Sequence, residues 1–300
     1  MHARPSVATA AALLGATALL LPGTAPAAGY APARQSSPLV IAHRGASAYA
    51  PENTLAAVNL AARMGIEWVE NDVQRTRDGE LVVIHDDSLR RTTDVERVFP
   101  DRAPWHVKDF TAAEIARLDA GSWYDARWAG ERVPTLKQYL EAMEANGQKL
   151  LLEIKGPELY PGIERDILRV LGSEGWLDPV HVERKLVVQS FGADSVRAVH
   201  EQRPDVTTGF LGTPAVADLP SCAAFADQIN PDVTTLTADF VAAVHRLEGP
   251  HGKPLQVSTW TVDGAAEAAR VRDLGVDGII TNTPDVVRDT VGADEVSPAT

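Results

Sequence analysis

Short apolar runs alternate with amphipathic segments along most of the chain after about residue 38. The apolar runs have the length and residue types of buried strands, and polar residues gather at their C-terminal ends. The segments between them repeat apolar residues at helical spacing. Strands that alternate with helices predict a parallel sheet, and a chain of this size accommodates its closure as a (β/α)8 TIM barrel. In that fold, polar residues at the C-terminal ends of strands share one mouth.

Nine candidate strands compete for the eight places of such a barrel. One of them, Leu81–Ile84, follows a strand beginning at Trp68 through Asp78-Gly79, a dipeptide typical of hairpin loops. The link is too short for a parallel crossover, so we expect this arm to extend the rim of the barrel. A two-residue loop at Asp78-Gly79 would place His85 directly opposite Asp72.

Residues 89–134 interrupt the alternation of strands and helices. We interpret them as a small insertion after the second strand and its hairpin, with an aromatic core of its own, lying over the site. The alternative is a surface excursion with no part in catalysis. The aromatic residues of this segment are Phe99, Trp105, Phe110, Trp123, Tyr124 and Trp128.

The two ends of the chain differ from the rest. Residues 1–33 combine a weakly basic start, an apolar run and small residues suited to cleavage, which predicts a secretory signal peptide and a secreted, extracellular protein. A membrane anchor is the alternative, but the apolar run is shorter than the roughly 20 residues that a span needs, so we expect no stable membrane insertion. Residues 291–300 are expected to form a flexible tail.

Composition narrows the choice of partner. The 300-residue chain has a formal net charge of −13, which argues against a nucleic-acid partner because such a partner calls for a basic surface. An anionic small molecule stays possible, since a bound cation and local arginines can reverse the field inside a cleft. The single cysteine, Cys222, cannot form an intramolecular disulfide. The sequence makes no prediction of the oligomeric state.

Three carboxylates form a candidate metal site. Glu70 and Asp72 are two residues apart on a predicted strand, so their side chains project to the same side. Glu153 ends a later strand. Oxygen ligands suit one divalent cation, Ca²⁺ or Mg²⁺, and disfavour zinc, but they do not separate the two ions. The alternative is a set of ion pairs with Arg44 and Lys155 and no metal.

Two histidines and two cations accompany the acids. His43 and His85 are candidates for proton transfer because histidine titrates near neutral pH. Arg44 can bind phosphate oxygens bidentately or pair with Glu52, which we expect to orient Arg44 or His43. Lys155 either binds a phosphate group as well or neutralises the neighbouring carboxylate of Glu153.

Two further residues are weaker candidates. Trp260 follows a clear strand and either lines the pocket for the substrate or packs in the core. Gln189 ends another predicted strand, and we expect it to support the site rather than to contact the reacting atoms.

The ordered motifs resemble the glycerophosphodiester phosphodiesterase family, and the resemblance covers roughly residues 38–290. It rests on motifs in the N-terminal half and is continued by others downstream. They are His43-Arg44-Gly45, Pro51-Glu52-Asn53-Thr54, Glu70-x-Asp72, the Asp78-Gly79 turn, His85-Asp86, Gly121-Ser122-Trp123, Val133–Leu136, Leu152–Lys155, Gln189–Phe191 and Thr259–Val262.

The resemblance implies a barrel enzyme with a defined reaction. Its metal ligands would be Glu70, Asp72 and Glu153, and its general base and general acid would be His43 and His85, in an order that the sequence does not decide. The substrate would be a small glycerophosphodiester, such as glycerophosphocholine, cleaved to sn-glycerol 3-phosphate and an alcohol. The preferred head group is left open.

Two other functions stay open. One is a related barrel phospholipase, of phospholipase D or phosphoinositide phospholipase C type, acting on intact lipids. The other is a non-catalytic protein that binds phosphoesters. The chain has no Gly-x-Ser-x-Gly elbow, which argues against an α/β-hydrolase.

Overall fold

The computed structural model describes residues 1–2 and 37–292, and residues 37–292 contain a closed barrel of eight parallel strands. Strand β1 pairs with both β2 and β9, which closes the sheet and confirms the predicted (β/α)8 fold. The strands are β1 (Leu39–Ala42), β2 (Trp68–Arg75), β3 (Leu81–Val83), β4 (Lys149–Ile154), β5 (Leu186–Ser190), β6 (Thr207–Leu211), β7 (Gln228–Asn230), β8 (Gln256–Thr259) and β9 (Gly278–Thr281). Residues 3–33 of the predicted signal peptide and residues 293–300 of the predicted tail lie outside the described residues.

Helices connect the strands and cover the outside of the barrel. No helix in the described ranges is long and apolar enough to cross a membrane. The helices are α1 (Leu55–Arg63), α2 (Val95–Val98), α3 (Ala112–Ile115), α4 (Leu136–Asn146), α5 (Ile163–Ser173), α6 (Pro179–Arg184), α7 (Ala193–Gln202), α8 (Leu219–Cys222), α9 (Ala238–His245), α10 (Ala265–Asp273) and α11 (Pro284–Gly292).

Helix α4 shows how local sequence sets the limits of an element. The Thr135 hydroxyl accepts a hydrogen bond from the backbone N–H of Gln138, and the Gln138 side chain accepts one from the backbone of Thr135. This capping box satisfies two backbone donors at the start of the helix. The helix ends at Gly147, whose φ of 68° is a left-handed conformation that glycine adopts without steric penalty.

The barrel interior is divided into an apolar layer and a polar mouth. Ile41, Leu151, Val187 and Ile280, from four different strands, form one buried apolar cluster. Because alternate residues of a strand face the same side, Glu153 lies on the same face as Leu151, two residues nearer the C-terminal end. Outward-facing residues pack against the helices in two larger apolar layers.

The hairpin arm β3 pairs only with β2 and runs antiparallel to it, as predicted for a rim extension. The predicted pairing of His85 with Asp72 is wrong by one residue, because the backbone carbonyl of Asp72 accepts a hydrogen bond from the backbone N–H of Ile84 instead. The loop has three residues rather than two, and the backbone N–H of Thr76 bonds to the carbonyl of Glu80 across it. Its last residue, Gly79, has a φ of 93°, which is typical of three-residue hairpin loops.

The insertion has a core of its own, but that core is mostly aliphatic. It is built around Phe110 and aliphatic residues such as Leu89, Ile115 and Leu118, all at most 1% exposed. The prediction of an aromatic core is therefore only partly correct, since Trp123 is 38% exposed. Aromatic rings need a great deal of apolar surface around them, and a segment this short supplies it for few of them.

The N-terminal end of the barrel holds two pairs of aspartate and histidine. Asp277, just before β9, accepts hydrogen bonds from the backbone N–H of Val257 at 2.7 Å and from His245 at 2.9 Å. Asp227, just before β7, accepts one from His251 at 2.8 Å and one from a backbone N–H of β6 at 3.0 Å. Each carboxylate thus joins two neighbouring strands at the N-terminal end of the barrel.

Candidate active site

The three predicted metal ligands meet at the C-terminal mouth of the barrel. The parallel register of β2 and β4 places Asp72 beside Glu153, and Glu70 lies one step deeper on the same face of β2. One carboxylate oxygen from each residue lies within 4.8 Å of the others. All three residues are buried, with exposed fractions of 6% or less. Three buried carboxylates at this separation repel one another strongly unless positive charge lies among them.

The pKa values show how incompletely these charges are balanced. Burial, followed by the charges of Asp72 and Glu153, raises the pKa of Glu70 well above its usual value. Burial and then Asp72 raise the pKa of Glu153 to about 8. Burial also disfavours charge on Asp72, but Arg44 and Lys155 outweigh it and lower the pKa of that carboxyl. The cluster therefore holds more negative charge than its two neighbouring cations neutralise.

One buried oxygen atom provides a test of whether a cation fits. Asp72 Oδ2 accepts a hydrogen bond from the Asn53 amide at 2.8 Å. The other oxygen, Oδ1, accepts none from the described residues, and Lys155 Nζ lies 3.7 Å away. A buried carboxylate oxygen without a donor is unfavourable, and a hard cation with oxygen ligands would satisfy it. The donor set thus fits Ca²⁺ or Mg²⁺.

His43 faces the acids from the end of β1. Its Nε2 atom lies 4.0 Å from a carboxylate oxygen of Glu70, and its Nδ1 atom lies 2.7 Å from the side-chain oxygen of Asn282. The Asn282 amide nitrogen donates to Asp263 at 2.7 Å, which orients the amide oxygen toward His43. The Nδ1 atom therefore carries a proton and Nε2 is free to accept one. Burial, and then the charge of Arg44, lower the pKa of His43 to about 4.

Arg44 is held in an unusual backbone conformation beside the cluster. Its φ is 56° and that of Asn53 is 57°, a region that residues with a side chain rarely occupy, and such strain is concentrated at functional sites. The guanidinium contacts Glu52 at 2.9 Å and Asp72 at 3.3 Å, and the backbone N–H donates to Glu70 at 2.9 Å. Glu52 thus contacts Arg44 directly, while its expected role in orienting Arg44 stays a prediction.

His85 approaches from the hairpin arm and is held by its neighbour in sequence. Its Nδ1 atom lies 2.7 Å from the Asp86 carboxylate. The amide nitrogen of Gln74 on β2 donates to three successive carbonyls in this segment, those of Ile84, His85 and Asp86. Although the predicted register was wrong, the structure still brings His85 close enough to Asp72 for its charge to favour that carboxylate.

The other three predicted residues, Lys155, Gln189 and Trp260, contact protein groups around the site. Lys155 Nζ contacts Glu153 at 2.8 Å, so it neutralises that carboxylate. Gln189 is the β5 neighbour of Glu153, but its side-chain oxygen accepts from Asn230 at 2.8 Å, inside the barrel. Trp260 donates to the carbonyl of Asn230 at 2.9 Å and packs beside the interior apolar cluster.

Three residues that position the site were missed in the sequence. Asn53 was noted only as part of the Pro51-Glu52-Asn53-Thr54 motif, although its amide holds Asp72. Asp86 follows His85 directly, and this adjacency could have indicated a pair. Asn282 is 239 positions from His43 in the chain, so no local pattern relates the two. A polar cleft of about 400 Å³ opens beside His43, Arg44 and Asn282.

The glycerophosphoryl diester phosphodiesterase family matches residues 43–286. The chain belongs to this family. The enzyme class expected from the sequence, a phosphoric diester hydrolase of the glycerophosphodiester phosphodiesterase type, is therefore confirmed.

Individual relatives agree with this assignment. The chain is 36% identical to a glycerophosphodiester phosphodiesterase of Caldanaerobacter subterraneus over 251 residues, which are 83% of this chain and 96% of the relative. It is 33% identical to a glycerophosphodiester phosphodiesterase of Bacillus subtilis over 262 residues, covering 83% and 84% of the two chains. Its fold is similar to that of an Oleispira antarctica phosphodiesterase solved with the product sn-glycerol-3-phosphate, with a TM-score of 0.72, 28% identity and coverage of 85% and 96%.

Proposed function

We propose that this enzyme hydrolyses small glycerophosphodiesters, such as glycerophosphocholine, to sn-glycerol 3-phosphate and a free alcohol. The observation that carries the proposal is the buried cluster of Glu70, Asp72 and Glu153, which has more carboxylates than neighbouring cations to neutralise them. The cluster lies beside His43, and a cleft opens next to this histidine. A site of this kind suits an anionic phosphodiester only when a cation is present. The product bound to the Oleispira antarctica relative is consistent with this substrate class.

Glu70, Asp72 and Glu153 would hold the cation, and Arg44 would bind the phosphate. When bound, Ca²⁺ or Mg²⁺ would act as a Lewis acid that neutralises charge on the phosphoryl oxygens. Arg44 has donors in the rigid fork that matches phosphate oxygens, and Glu52 fixes that fork. Lys155 adds positive charge next to Glu153, while Trp260 and Gln189 support the walls of the mouth.

The two histidines have partners of different charge, and this difference supports different roles for them. His43 bonds to the neutral amide of Asn282 and presents an unprotonated Nε2, so it would act as the base that takes the proton of the attacking hydroxyl. His85 bonds to the Asp86 carboxylate, which is placed to stabilise an imidazolium ring. His85 would therefore give its proton to the head-group oxygen as the phosphorus–oxygen bond to that oxygen breaks. The attacking group would be the 2-hydroxyl of the glycerol, so the first product would be a cyclic glycerol phosphate. Water would then open this ring to glycerol 3-phosphate, with the two histidines in reversed roles.

A pair of substrates with different leaving groups tests this assignment. His85→Ala should lower kcat by about 10²–10⁴ with glycerophosphocholine, the usual loss for a general acid, but much less with a glycerophosphoryl nitrophenol, whose anion leaves without a proton. His43→Ala should lower kcat similarly with both substrates. His106→Ala, at a half-buried histidine of the insertion that pairs with Asp87, is the control and should leave kcat unchanged. Equal losses in His85→Ala with the two substrates would contradict the assignment.

The overall reaction is tested by the products. Purified enzyme, freed of metal by chelation and then given Ca²⁺ or Mg²⁺, should release sn-glycerol 3-phosphate from glycerophosphodiesters of several head groups. The same titrations identify the ion and the preferred alcohol. Release of diacylglycerol or phosphatidate from intact phospholipids, with no turnover of the deacylated substrates, would establish a barrel phospholipase instead.

We also propose that the enzyme is secreted, because residues 1–33 have the organisation of a signal peptide. Cells that produce the full chain should release it into the medium. The mass of the released protein should correspond to cleavage near residues 27–33. An intact N terminus on protein that stays with the cells would contradict secretion.

A further inference from the structure

Arg91, at the start of the insertion, connects the two histidine loops through their carboxylates. Its Nε and Nη2 atoms donate to Asp86 at 2.7 and 2.9 Å, and its Nη1 and Nη2 atoms donate to Glu52 at 2.7 and 2.8 Å. Glu52 also accepts from Arg44, and Asp86 also binds His85. Positive and negative side chains therefore alternate without a gap from Arg44, through Glu52, Arg91 and Asp86, to His85.

The backbone around Arg91 is anchored in the insertion core. Leu89 is fully buried, and its N–H donates to the carbonyl of Trp105 at 2.9 Å. Thr92 and Thr93 are also buried, and the Thr93 hydroxyl donates to the carbonyl of Leu89 at 2.6 Å. Because the residues on both sides are fixed, the backbone position from which the Arg91 side chain extends is fixed as well.

Other contacts hold the insertion against the loop that carries His43. The Tyr124 hydroxyl donates to the carbonyl of Ala48 at 2.5 Å. The Trp123 ring centroid lies 5.9 Å from the Arg91 guanidinium carbon, within the range of a cation–π contact. The insertion is thus packed on the mouth of the barrel, and Arg91 is a charged group that it contributes to the loops of the site.

We propose that Arg91 is a positioning residue, which keeps Arg44 and His85 in working geometry by fixing both of their carboxylate partners. The inference rests on the proposed function, in which these two residues act on phosphate and leaving group. The guanidinium uses two adjacent edges, each bonded to both oxygens of a carboxylate. A lysine has one compact ammonium group and cannot hold two carboxylates in this way.

Kinetics of three variants test the proposal. Arg91→Gln and Arg91→Lys should each lower kcat by about 10²-fold, the scale expected when catalytic groups are misplaced by about an ångström. KM should change far less, because the lost geometry matters most in the transition state. Arg90→Gln is the matched control, since Arg90 is the next residue and pairs with Glu96 on the exposed surface. The control should keep the kcat of the wild type.

A measurement without substrate separates positioning from a general loss of stability. In ¹⁵N-histidine spectra of the wild type, recorded at a pH high enough to deprotonate the ring, His85 should be a single tautomer with its proton on Nδ1. In Arg91→Gln, Asp86 is free to turn away, so the His85 ring nitrogens should shift toward a mixture of tautomers. The Arg90→Gln spectrum should match that of the wild type, and the His85 signals are identified by their loss in His85→Gln.

A double variant covers the case in which Arg91→Gln folds poorly. Asp86→Asn should lower kcat on its own, and Asp86→Asn combined with Arg91→Lys should cost little more than either change, because the two residues act as one unit. Wild-type kcat in folded Arg91→Lys, or an unchanged His85 spectrum in Arg91→Gln, would overturn the inference. If the wild type releases no glycerol 3-phosphate but the His85 spectrum does respond to Arg91→Gln, the proposed function fails while the positioning contact stands.

Discussion

The two ends of the barrel place carboxylates in opposite situations. At the N-terminal end, Asp277 accepts hydrogen bonds from Val257 and His245, both within 3 Å, so its charge is well compensated. At the C-terminal end, Asp72 and Glu153 are more deeply buried, lie side by side, and include an oxygen that no described group satisfies. The same chemical group therefore stabilises one end of the barrel and destabilises the other.

The difference explains where this fold carries its chemistry. Carboxylates that bind backbone N–H groups join strands, and their removal should affect folding rather than catalysis. Carboxylates that crowd together are tolerated because the rest of the barrel is stable enough to hold them, and they retain capacity to bind a ligand. Local strain at Arg44 and Asn53 belongs to the same end of the barrel.

The largest difference between the ends should appear when Glu153 is replaced by glutamine. We expect Glu153→Gln to lose calorimetrically detectable Ca²⁺ or Mg²⁺ binding and most of its activity, because one of three anionic ligands is removed. We also expect the metal-free variant to melt at a higher temperature than the metal-free wild type, since repulsion at the mouth is reduced. Each kcal/mol of relief should raise Tm by about 2–4 °C.

A suitable control is Glu158→Gln, in the loop that follows β4, which should alter neither cation binding nor Tm. A metal-free Glu153→Gln that melts lower than the metal-free wild type would show that the cluster is not destabilising. The inference that carboxylates stabilise the N-terminal end of the barrel and destabilise the C-terminal end would then be wrong.

Asp277→Ala should have a smaller effect, and it should lower stability while leaving activity unchanged. The change leaves the Val257 N–H and His245 without their acceptor, which should lower the free energy of unfolding by about 1–3 kcal/mol. The kcat of the folded variant should equal that of the wild type, because the site lies at the other end of the strands. Denaturant unfolding and steady-state kinetics measure the two quantities. Asp239→Ala, on the exposed face of α9, is the control, and a large fall in kcat for Asp277→Ala would show that the two ends are coupled.

The smallest effect should be a pH dependence at the N-terminal end. The hydrogen bond to Asp277 raises the pKa of His245 above its ordinary value of 6.5. This pair should therefore stabilise the fold fully below pH 6.5, and its contribution should disappear as the pH rises through the raised pKa. The difference in Tm between wild type and His245→Gln, measured from pH 5 to pH 8.5, should shrink toward alkaline pH. A difference that grows with pH would reverse the assigned sign.

Local patterns in the sequence were sufficient for the barrel and for much of the site. The alternation of apolar runs and helical segments predicted the closed parallel sheet, because hydrophobic periodicity is a property of each segment by itself. The two-residue spacing of Glu70 and Asp72 predicted that they share a face, because strand geometry alone requires it. The short link after Asp78-Gly79 likewise predicted an antiparallel arm.

Tertiary structure decided the contacts that distinguish the residues of the site. The hairpin register depends on the left-handed conformation of Gly79, which the sequence permits but does not require. Asn282 reaches His43, and Arg91 reaches Glu52, only because closure of the barrel and packing of the insertion bring distant loops together. A hydrogen bond between side chains depends on their distance in space, and residues far apart in the chain acquire that distance only when the whole barrel has folded.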